Sequence, residues 1–225
     1  MKVYLFIRRI IDTIIALIAL IILSPVLLAV AIAVCVDSKG GAIFKQKRIG
    51  LNGKPYNMYK FRSMVTNAQN MGTGVYSFEG DPRITKIGHF IRKTSLDELP
   101  QLWNIVKGDM AFIGPRSPVL GHFPEWDTLN DAYKRRFSVP PGISGLAQCV
   151  GRNDFSWDEK VHWDNIYIDK LSKYYILYDI KILWWSVLKV FQSANINEDQ
   201  REGMSAEESA AMDDEEVKRI AHLPD

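Results

Sequence analysis

Cysteine is almost missing from this chain. Its 225 residues include two, Cys35 and Cys149, and no CxxC pair. That excludes a disulfide scaffold, gives no zinc signature and suits a reducing compartment. The short motifs that announce common chemistries are missing too: no GxxxxGKS/T phosphate loop, no GxGxxG, no HExxH and no GxSxG. The four histidines, His89, His122, His162 and His222, show no metal-ligand spacing. No internal repeat is visible. Charge itself is missing from one long stretch, Ile14 to Val36.

The chain is 47% hydrophobic and 24% charged, with a net charge of +2 and a mean hydropathy of −0.08. These averages exclude a disordered chain, a collagen-like repeat and a multi-span membrane protein. The length allows one large domain or two small ones, with a real core. Two asymmetries hide beneath the averages. From Asn195 onward ten acids face three bases, about −7, so the preceding body carries about +9. A basic body suggests phosphates, acidic lipid or nucleic acid as partners. The acidic tail, with Asp213, Asp214, Glu215 and Glu216, reads as a solvated or disordered end.

The uncharged stretch, about 23 residues, would reach roughly 35 Å as a straight helix, enough to cross a hydrocarbon core of about 30 Å. Two details argue against a simple span. Ser24-Pro25 lies at its centre, where proline removes a helical hydrogen bond and the serine hydroxyl can take the freed carbonyl. Both flanks are basic, with Lys2, Arg8 and Arg9 before and Lys39, Lys45, Lys47 and Arg48 after, so the positive-inside rule gives no orientation. A hairpin bent at Pro25 answers both points. Its arms of about eleven residues would each reach roughly 17 Å into one leaflet and return. A cleaved signal peptide is the third reading, on Ala29-Val30-Ala31, although the apolar run is long for one.

Beyond Gly40-Gly41, Ala42–Gly50 and Tyr56–Arg62 read as strands joined at Asn52-Gly53, a hairpin. Met64–Pro82 is a polar, glycine-bearing loop. Ile84–Lys93 is helical, with Ile84, Ile87 and Ile91 on one face. Leu96, Leu99, Leu102 or Trp103, and Val106 mark another helix, closed by Gly108. Phe123–Arg136 is a further helix candidate, Pro140-Pro141-Gly142 begins a turn, and Trp157–Lys170 is helical. Asp179–Gln192 is a densely apolar helix with Trp184 and Trp185. Lys181, Lys189 and Gln192 fall on one narrow side. It fits either a membrane–water boundary or an ordinary core.

The densest polar cluster is Arg92-Lys93-Thr94-Ser95-Leu96-Asp97-Glu98-Leu99-Pro100. Ser95 and Glu98 fit a capping box. With Asp97 as the N-cap instead, Pro100 falls at the third helical position, where its missing N–H is harmless. Either way two carboxylates lie at a helix N-terminus, whose dipole favours an ionised acid and a bound phosphate. Capping and catalysis both remain open on these grounds, a catalytic carboxylate being a nucleophile or a magnesium ligand. Other cations sit on strand ends and stiff turns: Lys60 and Arg62 in Lys60-Phe61-Arg62-Ser63, Arg116 in Gly114-Pro115-Arg116-Ser117-Pro118, and Arg152 in Gly151-Arg152-Asn153. Such arginines can clamp a diphosphate or simply form surface ion pairs. The basic run Lys134-Arg135-Arg136 reads as a solvated or lipid-facing surface. Asp164 and Asp179 can orient basic residues or hold helices together.

Four motifs in order, Lys60-Phe61-Arg62-Ser63-Met64, Thr94 to Leu102, Val106-Lys107-Gly108-Asp109-Met110 with Gly114-Pro115-Arg116, and Pro141-Gly142-Ile143-Ser144-Gly145-Leu146-Ala147-Gln148 with Gly151-Arg152-Asn153, resemble the bacterial sugar transferases, the monotopic phosphoglycosyl transferases. The match runs from about Arg8 to Ser193, and the length resembles the minimal members without an extra transmembrane bundle. Ser117 stands where many members carry proline, Ser144 where threonine is common, and Cys149 where valine is.

The resemblance implies an α+β fold: an N-terminal re-entrant membrane helix-hairpin (residues 1–39, kinked at Ser24 and Pro25), then a small, mostly helical cytoplasmic domain (40–194). That domain would have a short β-hairpin and interfacial amphipathic helices, with the acidic tail (195–225) following. It implies transfer of a phosphosugar from a UDP-sugar to polyprenol (undecaprenyl) phosphate, releasing UMP, with Mg2+, at the cytoplasmic face of the bacterial inner membrane. Asp97 would be the nucleophile and a metal ligand, forming an aspartyl-phosphosugar. Glu98 would have a metal-shell, positioning or proton-handling role. Lys60, Arg62, Arg92, Arg116, Gln148 and Arg152 would bind substrate. Inner-membrane lipid is an expected partner and nucleic acid is not. The competing class is a membrane-tethered basic module that binds acidic lipid or nucleic acid without chemistry, but scattered cations argue against it. A soluble hydrolase with a cleaved signal lacks its motifs.

Overall fold

The computed structural model describes residues 1–78, 80–151 and 155–192, without the side chains of 189–192. The acidic tail lies outside these residues. The chain is α+β and mostly helical. It opens with helix α1, Lys2–Ile22, and helix α2, Ser24–Asp37, whose axes meet at a 65° bend. Proline explains the break. Pro25 lies in the first turn of α2, where an N–H would have no partner, and the carbonyl it would have used is that of Ile21. Ser24 Oγ donates to that oxygen at 2.8 Å, as the serine–proline pair suggests. The arms are unequal, 21 and 14 residues, rather than eleven each. The first runs back to Lys2 because Tyr4, Arg8 and Asp12, one turn apart, share a face that is anchored. Among the described residues no single helix is long and apolar enough to cross a membrane, whereas the bent pair passes that test together.

By its packing the chain falls into two units: Met1–Asp12, Arg48–Tyr56 and Asp109 onward form the first, Thr13–Lys47 and Asn57–Gly108 the second. The expected hairpin is present, β1 (Ile43–Ile49) with β2 (Pro55–Phe61). Its turn carries Asn52 and Gly53 at positive φ. Helix α3, Lys86–Lys93, starts where Thr85 Oγ1 accepts the Gly88 N–H at 3.0 Å. The Ile87 N–H of its first turn donates to Asp37 at the end of α2, at 2.9 Å. Val30 and Val34 of α2 meet Phe61 of β2 and Ile91 of α3 in a small core. The expected helix over Leu96–Val106 is split. Leu96–Glu98 is a single 3-10 turn, and α4 covers Gln101–Lys107. Pro100 caps α4 and, having no N–H, cannot carry the ladder through. Gly108, at φ 91°, closes it as the sequence suggests.

The loop from Met64 to Pro82 is irregular but internally tied. The buried Arg83 guanidinium pairs with Asp81 at 2.6 Å. It also donates to the carbonyls of Ala68, Met71, Gly74 and Tyr76, at 2.6 to 2.9 Å. One side chain thus ties together a stretch whose backbone hydrogen bonds are otherwise confined to single short turns.

The first unit holds a parallel pair that the sequence did not suggest: β3 (Ala111–Ile113) beside β4 (Gly142–Ser144), with Ala111 opposite Gly142. Gly114 is required just beyond β3, because a Cβ there would stand 2.3 Å from the Pro140 carbonyl oxygen. The Phe123–Arg136 helix candidate reduces to α5, Asp131–Arg135, between short 3-10 turns. Helix α6 spans Leu146–Gly151, and α7 spans Trp157–Tyr174, started by a capping box of Ser156 and Glu159. Helix α8 spans Ile176–Gln192. Its Tyr178, Ile182 and Trp185 join the core with Trp163, Tyr167 and Leu171, while Leu177, Ile180, Leu183, Trp184 and Val187 stay exposed. The core reading accounts for one side of α8 only. Lys189 and Gln192 lie outside the described side chains.

Buried charges brace this unit. Arg8 meets Asp179 at 3.1 Å, Asp12 at 3.6 Å, the Tyr167 hydroxyl at 3.1 Å and the Ile113 carbonyl. Tyr4 donates to Asp179 at 2.6 Å. Asp179 thus holds helices together, as the sequence suggested.

The Arg83 tie makes the loop acid-sensitive. The Arg83 guanidinium pulls the Asp81 carboxyl down to about 2. A depressed carboxyl stabilises the folded state above its unfolded value of about 4 and loses that contribution as pH falls through about 2. Pepsin cleavage within 68–81 should therefore rise steeply between pH 4 and pH 2. In Asp81→Asn, cleavage by a neutral protease should already be fast at pH 7.

Candidate active site

The acidic pair lies in the second unit, on the 3-10 turn between α3 and α4. Ser95 sets that turn: its φ of +56° ends α3 and reverses the chain. Ser95 makes no side-chain cap, so the capping box does not form, and Asp97 is not the N-cap of α4. The two carboxylates are the second and third residues of the short turn. Leu96 and Leu99, on either side of them, pack on the Val30, Val34, Phe61 and Ile91 core. The apolar neighbours thus fix the turn on α2 and leave the acids to be met elsewhere.

Lys60 meets them. Its Nζ lies 2.7 Å from Glu98 Oε1 and 3.9 Å from Asp97 Oδ2. The three side chains are 17%, 23% and 13% exposed, shielded yet reachable. Two neighbouring carboxylates repel one another, and one ammonium within reach of both offsets that repulsion. Lys60 is itself held in place, because Asn104 of α4 clasps the adjoining strand. The Asn104 Oδ1 accepts the Tyr59 N–H at 2.9 Å and its Nδ2 donates to the Asn57 carbonyl at 2.7 Å. Asn104 is fully buried. Only its place among apolar helix positions could have marked it in the sequence.

The other sequence candidates are distributed. Arg62 is buried and turned to the end of α2, donating to the carbonyls of Gly41, Ser38 and Gly40 at 2.7, 2.9 and 3.1 Å. Arg92 Nη2 donates to Ser77 Oγ at 2.6 Å. Arg116 and Gln148 belong to the first unit. Gln148 Nε2 donates to the Ile143 carbonyl at 3.0 Å, and its buried Oε1 lacks a partner among the described residues. Arg152 lies outside the described residues. The basic run is corrected at its last member. Arg136 is neither solvated nor lipid-facing but 1% exposed, paired with Asp164 at 2.7 Å. Asp164 orients a basic residue, as suggested.

Among the described residues no three or more His, Cys, Asp or Glu side chains gather as a metal cage. The acid pair nevertheless fits magnesium. Its donors are hard carboxylate oxygens, and this ion commonly takes one or two of them and completes its shell with phosphates and water.

The profile of the bacterial sugar transferase family matches residues 3–193. The chain is 41% identical over 189 residues to the UDP-glucose:undecaprenyl-phosphate glucose-1-phosphate transferase of Klebsiella pneumoniae, covering 82% of this chain and 40% of that protein. It is 44% identical over 191 residues to the galactosyl transferase CpsE of Streptococcus agalactiae, with 80% and 41% covered. It is 37% identical over 194 residues to the uncharacterized sugar transferase EpsL of Bacillus subtilis, with 86% and 92% covered. The chain thus spans about two fifths of the first two relatives and nearly the whole of the third. With 191 of its residues matched to one profile, the chain belongs to the bacterial sugar transferase family.

Proposed function

We propose that this chain transfers a phosphosugar from a UDP-sugar to polyprenol phosphate and releases UMP, the first membrane step of bacterial glycoconjugate assembly. The carrying observation is the Lys60 ammonium set against Asp97 and Glu98 on one shielded turn. Relatives named for transfer from a UDP-sugar to undecaprenyl phosphate support it.

The chemistry follows from the turn. Asp97 is the nucleophile: an Oδ attacks the phosphorus next to the sugar. The bond from that phosphorus to the bridging oxygen breaks, and UMP leaves with the oxygen and its electron pair. The aspartyl-phosphosugar then accepts attack by a phosphate oxygen of the polyprenol phosphate. The phosphorus–Oδ bond breaks and Asp97 returns as a carboxylate. Two steps let a water-soluble donor and a lipid acceptor use one site in turn. Lys60 lowers the repulsion that an incoming diphosphate meets. Glu98 is the stronger partner of Lys60 and fixes its direction. Lys60, Arg62, Arg92, Arg116, Gln148 and Arg152 are the donor's further partners in this reading. Asp97 and Glu98 would hold magnesium, which when bound neutralises phosphate charge.

The bent pair α1–α2 is read as a re-entrant membrane hairpin. Ile14, Ile18, Ile21, Leu28, Ile32 and Val36 stay exposed on it, and lipid would cover them. Because α2 also packs beneath Leu96 and Leu99, the acid pair is carried at the headgroup level, where polyprenol phosphate is found. The chain then sits monotopically on the cytoplasmic face of the inner membrane.

Purified protein with polyprenol phosphate, magnesium and a panel of UDP-sugars should release UMP. Asp97→Asn should lose about 10³-fold or more in rate. A variant with full activity would refute the nucleophile, as would an intact-protein mass that gains no phosphosugar from donor alone. Lys60→Met should reduce kcat/KM by about 10- to 100-fold and lower the Tm, because two neighbouring carboxylates lose their shared counter-charge. For topology, single cysteines placed before Arg8 and after Lys39 in a Cys35→Ser background should react with an impermeant thiol reagent from the same side of the membrane. Labelling from opposite sides would end the hairpin reading.

A further inference from the structure

The turn Pro115–Pro118 carries Arg116, and each of its four carbonyls has a donor. Gly142 N–H donates to Pro115 O at 3.1 Å, and Ile49 N–H to Pro118 O at 3.1 Å. The two central carbonyls are taken by arginines: Arg136 Nη2 donates to Arg116 O at 2.8 Å, and Arg48 Nη1 to Ser117 O. The Ser117 hydroxyl also meets Tyr56 Oη at 2.7 Å. All of these residues lie in the first unit.

Arg136 is built into that place. Its Nε and Nη2 pair with Asp164 Oδ2 at 2.9 and 2.7 Å. Its guanidinium carbon lies 5.3 to 5.8 Å from the ring centroids of Phe123, Phe137 and Trp157. Its Nη1 is buried without a partner among the described residues. A cation so deeply desolvated is costly unless its geometry is well met. The group that Nη2 reaches is the backbone oxygen of the residue whose side chain is the donor's charge partner.

We propose that Arg136 is a positioning residue for Arg116, and that Arg48 acts in the same way on the next carbonyl. Together they lock the backbone from which the Arg116 guanidinium projects. A side chain rooted in a fixed backbone has fewer degrees of freedom to settle when a diphosphate binds. The proposal rests on the reading of Arg116 as a donor-binding residue. Lysine cannot replace Arg136 in full, because one ammonium has no planar fork to make both the Nε and the Nη2 contacts.

Arg136→Lys keeps a cation opposite Asp164 and removes the fork. Arg48→Lys, at a half-buried site, is the gentler companion if Arg136→Lys folds poorly. Two measurements decide. In hydrogen exchange, amides of 114–119 should lose about tenfold in protection in either variant, while α7 keeps its own. In steady-state kinetics, each variant should raise the KM for the UDP-sugar about tenfold with kcat within about twofold. In an Arg116→Ala background the same change should add less than about twofold. Unchanged exchange in the turn overturns the proposal. So does a KM effect that is equally large with and without Arg116, which would mark Arg136 as merely structural. If the unmodified protein releases no UMP from any donor, the functional reading fails and the exchange result alone decides whether the turn is pinned.

Discussion

A guanidinium taken out of water needs acceptors for its N–H groups, and in this chain the acceptors are mostly backbone carbonyls. Arg8 reaches the carbonyl of Ile113, Arg62 those of Gly41, Ser38 and Gly40, Arg83 four carbonyls of one loop, and Arg136 that of Arg116. All four arginines are buried. Each sits where regular hydrogen bonding runs out: at the end of a three-residue strand, at the end of α2, in the long loop and at a proline-flanked turn. Much of this protein is connection rather than helix or sheet. An orphaned buried carbonyl is as costly as an orphaned donor, so planar cations with several donors make such connections stable.

This changes the meaning of the basic body. About +9 before the tail reads as an electrostatic footprint for anions. Part of that charge instead faces inward. Arg8, Arg83 and Arg136 are matched by Asp179, Asp81 and Asp164, and present little field to solvent. A charge count cannot tell a staple from a patch, because both are the same residue at the same formal charge.

The sequence was most legible where chemistry is local. Ser24-Pro25, Asn52-Gly53 and Gly108 each imply a backbone event within a few residues, and each event is present. The adjacency of Asp97 and Glu98 was plain, and Lys60 was among the candidates. That Lys60 meets both acids depends on Asn104 binding a strand 45 and 47 residues away, which no periodicity shows. The β3–β4 pair was illegible for a similar reason. Its strands are three residues each, too short for alternation to register, and they meet across a long intervening segment. The helix that split at Pro100 failed differently. Its apolar spacing was sound, but the leucines on the two sides of the proline serve two elements rather than one.

The Arg83 tie has a consequence for how the loop can vary. Four of its contacts are with carbonyl oxygens, at Ala68, Met71, Gly74 and Tyr76, and every amino acid has a carbonyl. The path of the segment is therefore held by a partner blind to the identity of those side chains. Tyr76, whose ring is exposed, could be exchanged without moving the backbone that presents it. Scaffold and sequence are decoupled at those four positions, while Asp81 and Thr73, which bind Arg83 through their side chains, are not free to change.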